Sequence, residues 1–428
     1  MGQNDQSRFN NQPSDLISAR QAVQLLGVKP ATLYTYVSRG LIRAVPSQHD
    51  SRQRRYFRAD VERLCKRRDA RAGHTAVAAG ALRWGEPVID TAISSFSEQG
   101  PVYRGVPLVE LVRKEASFEA VAEWLWAGRA IDGGLGWPRV AVEPSIVEAV
   151  KAAGALGEPY AGVLLAAVSL AGLRDPGRFG APEEAERARA RALIRQMALW
   201  LALGNERGDI EQAAKAQTTA QAVALALGVG QAQEVTGAIE RALIVCADHE
   251  LNASTFAARV AASTGADLYA SVAAGLAALS GPRHGAHSER VEALLDEVGS
   301  PERAALVVRR RLRRGEDIAG FGHRLYPKGD PRTAPLLEVA RQVAGTSPAL
   351  RTIDAVCAVM LDAGHAPPTL DVGLVAISRA LDLGPSGATA LFAIGRSAGW
   401  VAHIFEQRRS PELLRPRARF VGSPNPHA

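Results

Sequence analysis

From residue 116 onward, apolar residues recur every three or four positions over long stretches rich in alanine and leucine. That spacing marks amphipathic helix, and both residues favour helix intrinsically. The pattern predicts helices over residues 116–127, 145–173, 183–203, 212–227, 235–247, 254–279, 301–314, 331–344, 347–363, 372–383 and 388–407. Runs alternating apolar and polar residues are almost absent. The stretches 87–95 and 101–103, just before Arg104-Gly105, are the exception and predict a small hairpin. No internal repeat at a fixed period is visible. The expected body is mostly α.

The first 72 residues read differently. Leu16, Ala19, Ala22, Val23 and Leu26 lie at helical spacing, with Ser18 as N-cap and Gln21 completing a capping box. Gly27 breaks this helix, and Pro30 suits the first turn of the next, which runs over 31–39 and stops at Gly40. Two short apolar-basic runs around a polar tip at 47–51 then predict a hairpin wing, and 60–71 a basic helix. Residues 1–14 read as a disordered tail and 73–80, small and unpatterned, as a linker.

Length and composition narrow the class. A chain of 428 residues with 47% hydrophobic content exceeds one ordinary domain and can bury a sizeable core. Cys65, Cys246 and Cys357 lie far apart, so neither a disulfide framework nor a thiolate zinc site is indicated, and a reducing cytoplasm fits. The polar start lacks the apolar core of a signal peptide, and no apolar run is long enough to span a membrane. Charge is the informative quantity. Residues 1–72 carry 14 Lys and Arg against 6 Asp and Glu, whereas the remainder carries 37 against 38. A basic head is joined to a nearly neutral body, which points to an anionic partner for the head.

The head resembles the MerR/excisionase-like winged helix-turn-helix domains over about 55 residues, through its GV…TLYTYVSRGLI…RRY run. The resemblance implies duplex DNA as partner. Thr32, Tyr34, Thr35 and Arg39 would face the major groove, and Arg52, Arg54 and Arg55 would meet phosphates. In the alternative, Tyr34 or Tyr36 is core, the arginines are a solvated face, and the unit docks proteins.

Only nine histidines occur, and four of them fall in three segments: DHELNAS around His249, GPRHGAHSE around His284 and His287, and GFGHRLYPKGDPR around His323. PPTLDVG with Asp371 and AIGRSAGW with Arg396 follow. Such a set suits proton transfer at carbon on a small polyanion. Singly, each residue has a structural explanation: a satisfied core histidine, a helix cap at Asp371, an ion pair at Arg332 or Arg396, a solvated tail at Arg415. The histidines lack HExxH-type spacing, so no metal is required.

Taken in order, Tyr103-Arg104-Gly105, DHE-x-NAS, GP-x-HG, GFGHR-x-Y-x-x-x-DPR, the lone aspartate, R-x-x-GW-x-AH and RPR resemble the citrate synthase family across roughly residues 81–422. The resemblance implies a two-domain helical fold, with 81–281 and 376–428 as the large domain and 282–375 as the small one. It implies condensation of acetyl-CoA with oxaloacetate and thioester hydrolysis, with no cofactor beyond the coenzyme A thioester that serves as substrate. In this reading Asp371 is the base, and His284, kept neutral at a helix start, supports the enolate. His323 polarises the oxaloacetate carbonyl, and His249 binds the same substrate. Arg332 and Arg396 grip its carboxylates. Arg415 reaches a partner subunit's site, implying a homodimer, and Arg324 and Lys328 meet CoA phosphates. His284-Gly285-Ala286-His287-Ser288-Glu289 and Thr369-Leu370-Asp371-Val372 depart from the family's usual HGGANE and N-x-D-F while keeping the acid–base residues. Two other functions stay open: 2-methylcitrate synthesis from propionyl-CoA, and a metabolite-sensing DNA-binding regulator with a synthase-like body.

Overall fold

The computed structural model describes residues 16–38, 41–46, 54–61, 89–128, 136–416 and 418. The expected tail at 1–14 and linker at 73–80 lie outside them, as do Arg39 and Arg52. The chain forms two compact units, Met1–Asp90 with Arg415–Ala428, and Thr91–Leu414.

In the N-terminal unit, helix α1 (Ala19–Leu26) starts at Ser18, whose side chain and that of Gln21 form the expected capping box. Helix α2 (Pro30–Ser38) follows across a tight turn. Strands β2 (Ala44–Pro46) and β3 (Arg54–Phe57) pair antiparallel as the wing. A third strand, β1 (Leu16–Ser18), pairs with the other edge of β3, giving the order β1-β3-β2. The residues before the first helix are thus extended and paired, which their helical spacing concealed. Ile17, Ala22, Leu26, Leu33, Ile42, Tyr56 and Val61 make the small core.

The body opens with a second antiparallel sheet, β4 (Ser94–Ser97), β5 (Gly100–Tyr103) and β6 (Val106–Pro107). The turn falls at 98–99, so the hairpin is shorter and later than the sequence suggests. Helices then dominate: α3 (Leu108–Arg113), α4 (Phe118–Ala127), α5 (Pro144–Ala152), α6 (Tyr160–Arg174), α7 (Glu183–Trp200), α8 (Ile210–Lys215), α9 (Thr219–Ala226), α10 (Gln233–Cys246), α11 (Ala253–Ser263), α12 (Leu268–Leu279), α13 (His287–Val298), α14 (Ala304–Arg313), α15 (Thr333–Ala344), α16 (Pro348–Asp362), α17 (Leu370–Leu381) and α18 (Gly387–Arg408).

Three expected long helices are each two. The 145–173 stretch breaks between α5 and α6 around Gly154, Gly157 and Pro159, and 212–227 breaks where Thr218 caps α9. The 254–279 stretch breaks at Gly265, after which Asp267 caps α12. In every case a cap or glycine intervenes without disturbing the apolar spacing, and local turn chemistry decides. Helix α13 was not expected, although Val291, Leu294, Leu295 and Val298 bury one face of it.

Helix α18 is the axis of the body. Every residue from Gly387 to Phe405 is buried, as befits a helix apolar on all sides. It packs against α4, α6, α7, α10, α11, α12, α13 and α17. Two of its glycines permit this closeness. A Cβ at Gly395 would lie 2.6 Å from the carbonyl of Leu243, and one at Gly399 would lie 2.3 Å from that of Ala247. Helix α18 therefore rests directly on the C-terminal end of α10, which leads into His249.

Candidate active site

Four turns bring the expected residues together. His249 follows α10 in a turn held from below by the β4–β5 hairpin. Tyr103 Oη donates to the Asp248 carbonyl at 3.0 Å and accepts from the Asp248 amide at 3.1 Å. The Ser94 hydroxyl donates to the Asp248 carboxylate, and His403 Nε2 lies 3.3 Å from the same oxygen. Arg259 Nη1 donates to His403 Nδ1 at 3.2 Å, which leaves the His403 proton on Nε2, facing Asp248. This buried chain fixes the turn from which His249 projects.

His249 and His323 meet edge to face, with ring centroids 5.6 Å apart. Tyr326 Oη lies 2.9 Å from His249 Nε2, and its ring is 5.0 Å from that of His323. The Leu325 amide donates to His323 Nδ1 at 3.2 Å, so the neutral His323 ring carries its proton on Nε2. Burial, then the neighbouring Arg332, pulls His323 below its ordinary range. Burial followed by Arg332 and Arg396 does the same, more strongly, to His249.

His284 sits in the turn before α13, with Nε2 2.7 Å from Ser254 Oγ; that hydroxyl oxygen accepts from Trp400 Nε1 at 3.1 Å. Its pKa is pushed down to about 4 by burial and then by Arg396. The neutral ring expected from a helix start is therefore explained mainly by burial. Phe392 lies between the two groups, with its ring 5.7 Å from His284 and 4.8 Å from Arg396 Cζ.

The arginines differ in a decisive way. Arg332 is 4% exposed and forms a bidentate pair with Asp330, Nε to Oδ1 at 2.9 Å and Nη2 to Oδ2 at 2.7 Å. That carboxylate also accepts from the Leu370 amide at 3.1 Å, tying the pair to the start of α17. Arg396 is 1% exposed; its Nε donates to the Cys246 carbonyl at 2.7 Å, and Nη1 and Nη2 have no partner. Burial pulls this guanidinium below its ordinary value. A buried charge with two unused donors is costly, and a dianionic substrate is what such a fork fits.

Asp371 is the second residue of α17, so it is not the helix cap; Thr369 holds that position. Its carboxylate accepts from Ser288 Oγ at 3.0 Å and Thr369 Oγ1 at 3.1 Å. Asp371 acts electrostatically on His323, and Arg396 on His284 and His249, so the expected base, three histidines and two arginines lie within one connected neighbourhood.

Three expected residues do not join it. Arg324 and Lys328 are exposed, and Lys328 faces Glu98 at 3.7 Å. Arg415 is exposed and lies beyond Leu414, where the compact body ends. Tyr326, Ser254, Asp330, Ser288 and Thr369 were missed as site residues. All five stood within the quoted motifs, but a hydroxyl or a second carboxylate beside a histidine or aspartate does not by itself signal a role. Among the described residues no three His, Cys, Asp or Glu side chains gather as a metal site. No described helix is long and apolar enough to cross a membrane.

On the N-terminal unit, Tyr34 is 57% exposed and Thr35 is exposed on α2, Thr32 is partly buried, and Arg54 and Arg55 are exposed on β3. Tyr56 fills the core and Tyr36 packs against it, whereas Tyr34 does not.

Comparison with known proteins places the chain in a family. The family described as "Citrate synthase, C-terminal domain" matches residues 81–417, and "Helix-turn-helix domain" matches 16–69. "Citrate synthase 2" of Bacillus subtilis is 39% identical over 188 residues, 43% of this chain; the match spans about half (50%) of that relative's length. "2-methylcitrate synthase" of Mycobacterium tuberculosis is 31% identical over 361 residues, covering 78% of this chain and 88% of the relative. The ternary complex of carboxymethyl coenzyme A and oxaloacetate with citrate synthase from Thermoplasma acidophilum superposes with a TM-score of 0.71 at 23% identity, covering 79% of this chain and 95% of that one. That likeness concerns the fold.

Proposed function

Since the chain belongs to the citrate synthase family, we propose that its cleft condenses acetyl-CoA with oxaloacetate and hydrolyses the resulting thioester to citrate and CoA. The observation that carries this reading is Arg396, buried with two guanidinium nitrogens unpartnered and close enough to His249 and His284 to act on both. Arg396 and the Asp330-oriented Arg332 hold the two carboxylates of oxaloacetate, with His249 beside them.

Asp371 takes a proton from the thioester methyl group. Neutral His284 supports the enolate oxygen from Nδ1, which requires the single Ser254 hydroxyl proton to turn to Nε2 across their 2.7 Å contact and away from Asn252 Oδ1 at 2.9 Å. The enolate carbon attacks the oxaloacetate carbonyl, and His323 delivers its Nε2 proton to the oxygen that gains the electron pair. Water then cleaves the thioester, releasing CoA. Positioned acid–base groups of this kind contribute about 10²–10⁴-fold each. We assign Arg324 and Lys328 to the CoA phosphates, and residues 282–375 to a smaller domain whose closure on the rest excludes water.

Helices α11 and α12 support a homodimer. Phe256, Ala257, Val260, Ala261, Ala273 and Ala274 are partly exposed on the two helices, an apolar surface that suits a second copy. Arg415 is assigned to the partner's cleft. In a thiol-release assay, oxaloacetate with acetyl-CoA should yield free CoA from protein that light scattering weighs as a dimer. Faster release with propionyl-CoA would instead support 2-methylcitrate synthesis, a reading favoured by the long match to the 2-methylcitrate synthase. No release with either thioester would leave a sensor.

The basic head is proposed to bind duplex DNA through Thr32, Tyr34 and Thr35 on the second helix, Arg54 and Arg55 on the wing, and Arg39 and Arg52, which lie outside the described residues. Affinity should fall with log-salt slope of about −0.9 per phosphate contacted. A titration flat in salt would mark the head as a protein-docking module.

A further inference from the structure

We propose that Ser288 and Thr369 are positioning residues for Asp371, each hydroxyl holding one oxygen of the carboxylate so that its remaining lone pairs face the acyl methyl group. This rests on Asp371 being the base. Left alone, an aspartate carboxylate swings about a broad two-fold torsion. One donor restrains one oxygen; two donors from different elements fix its plane. Here Ser288 Oγ donates to Oδ1 at 3.0 Å and Thr369 Oγ1 donates to Oδ2 at 3.1 Å.

Neither hydroxyl has another structural task. Thr369 is the N-cap of α17, a position where threonine normally satisfies a free helix amide. Its side chain makes no such bond and turns to Asp371 instead. Ser288 is fully buried on α13, one turn beyond His284, so its bond joins the segment of the enolate-supporting histidine to the helix of the base.

The backbone closes a ring through the same residues. The Thr369 amide donates to the Gly320 carbonyl at 2.8 Å, and the Gly320 amide donates to His287 Nε2 at 3.2 Å. His287 is the neighbour of Ser288. Three chain segments, at 287–288, 320 and 369–371, are thus locked in one circuit with the base at its corner. Bonds to a charged acceptor are the strong ones in such a circuit. Carbon deprotonation is sensitive to this geometry, because a misplacement of about 1 Å can cost about 10²-fold in rate.

The test uses full-length protein with Ser288→Ala, Thr369→Val and the double substitution, alongside Ser288→Thr and Thr369→Ser, which keep the hydroxyls. Steady-state kinetics are read with ordinary and methyl-deuterated acetyl-CoA. Each hydroxyl-deleting variant should lose about 10-fold in kcat, and the double about 10²-fold, with KM for oxaloacetate unchanged. The deuterium isotope effect should rise as proton removal becomes slower than hydrolysis, and the hydroxyl-keeping variants should stay near the parent. A purely structural role would lower the active fraction without moving the isotope effect, and that result overturns the assignment, as does an unchanged kcat. If the parent protein itself releases no CoA, the enzymatic reading falls and this assignment with it. An active parent with unaffected variants sinks this assignment alone.

Discussion

Asp371→Asn is expected to lower kcat by roughly 10²–10⁴-fold while the protein stays folded and KM for oxaloacetate changes little. The amide has the shape of the carboxylate, and the hydroxyls of Ser288 and Thr369 can rotate to suit it, since each both donates and accepts. What the amide lacks is the charge that draws a proton from carbon. In the proposed reaction oxaloacetate is held by groups the substitution does not touch: Arg332, Arg396, His249 and His323. Steady-state kinetics with a thermal melt decide the matter. More than a tenth of the parent kcat in the asparagine variant would mean that another group removes the proton.

The two arginines assigned to oxaloacetate should respond to the same substitution with opposite signs in stability. Arg332→Met strands the buried Asp330 carboxylate, and breaking a buried pair in this way costs about 3–5 kcal/mol. Arg396→Met removes a buried charge with two unpartnered donors at the loss of one hydrogen bond to the Cys246 carbonyl, and should be neutral or stabilising by up to about 4 kcal/mol. Both variants should lose oxaloacetate affinity by at least about 30-fold, as truncation of one side of a buried charge contact costs 2 kcal/mol or more. Urea unfolding separates the two, with KM for oxaloacetate as the second reading. A destabilised Arg396→Met protein would show that the free guanidinium serves the fold, and the substrate role of Arg396 would lose its main support.

The order of motifs and the helical spacing carried the mostly α architecture and the cluster of His249, His284, His323, Arg332, Asp371 and Arg396. Spacing alone did not reveal where one helix ends and another begins. The caps at Thr218 and Asp267 interrupt runs whose apolar periodicity continues almost in phase. Helix α13 was hidden by its charged residues, although its buried face keeps the i, i+3, i+4, i+7 rhythm. The hydroxyl partners of Asp371 are illegible for a different reason. Ser288 lies 83 positions from the aspartate it serves, and serine and threonine are too common for one distant pairing to stand out. The contrast between the arginines was likewise out of reach, because an unpaired guanidinium is defined by what surrounds it in space.

The glycines of α18 carry one last implication. Arg396 touches Cys246 only because Gly395 and Gly399, one residue before it and three after, let two helix backbones run nearly skin to skin. The span of the guanidinium is therefore metered by a pair of missing methyl groups. Adding either back would push the two backbones apart and draw the Arg396 guanidinium away from Cys246, with no side chain of the proposed site altered.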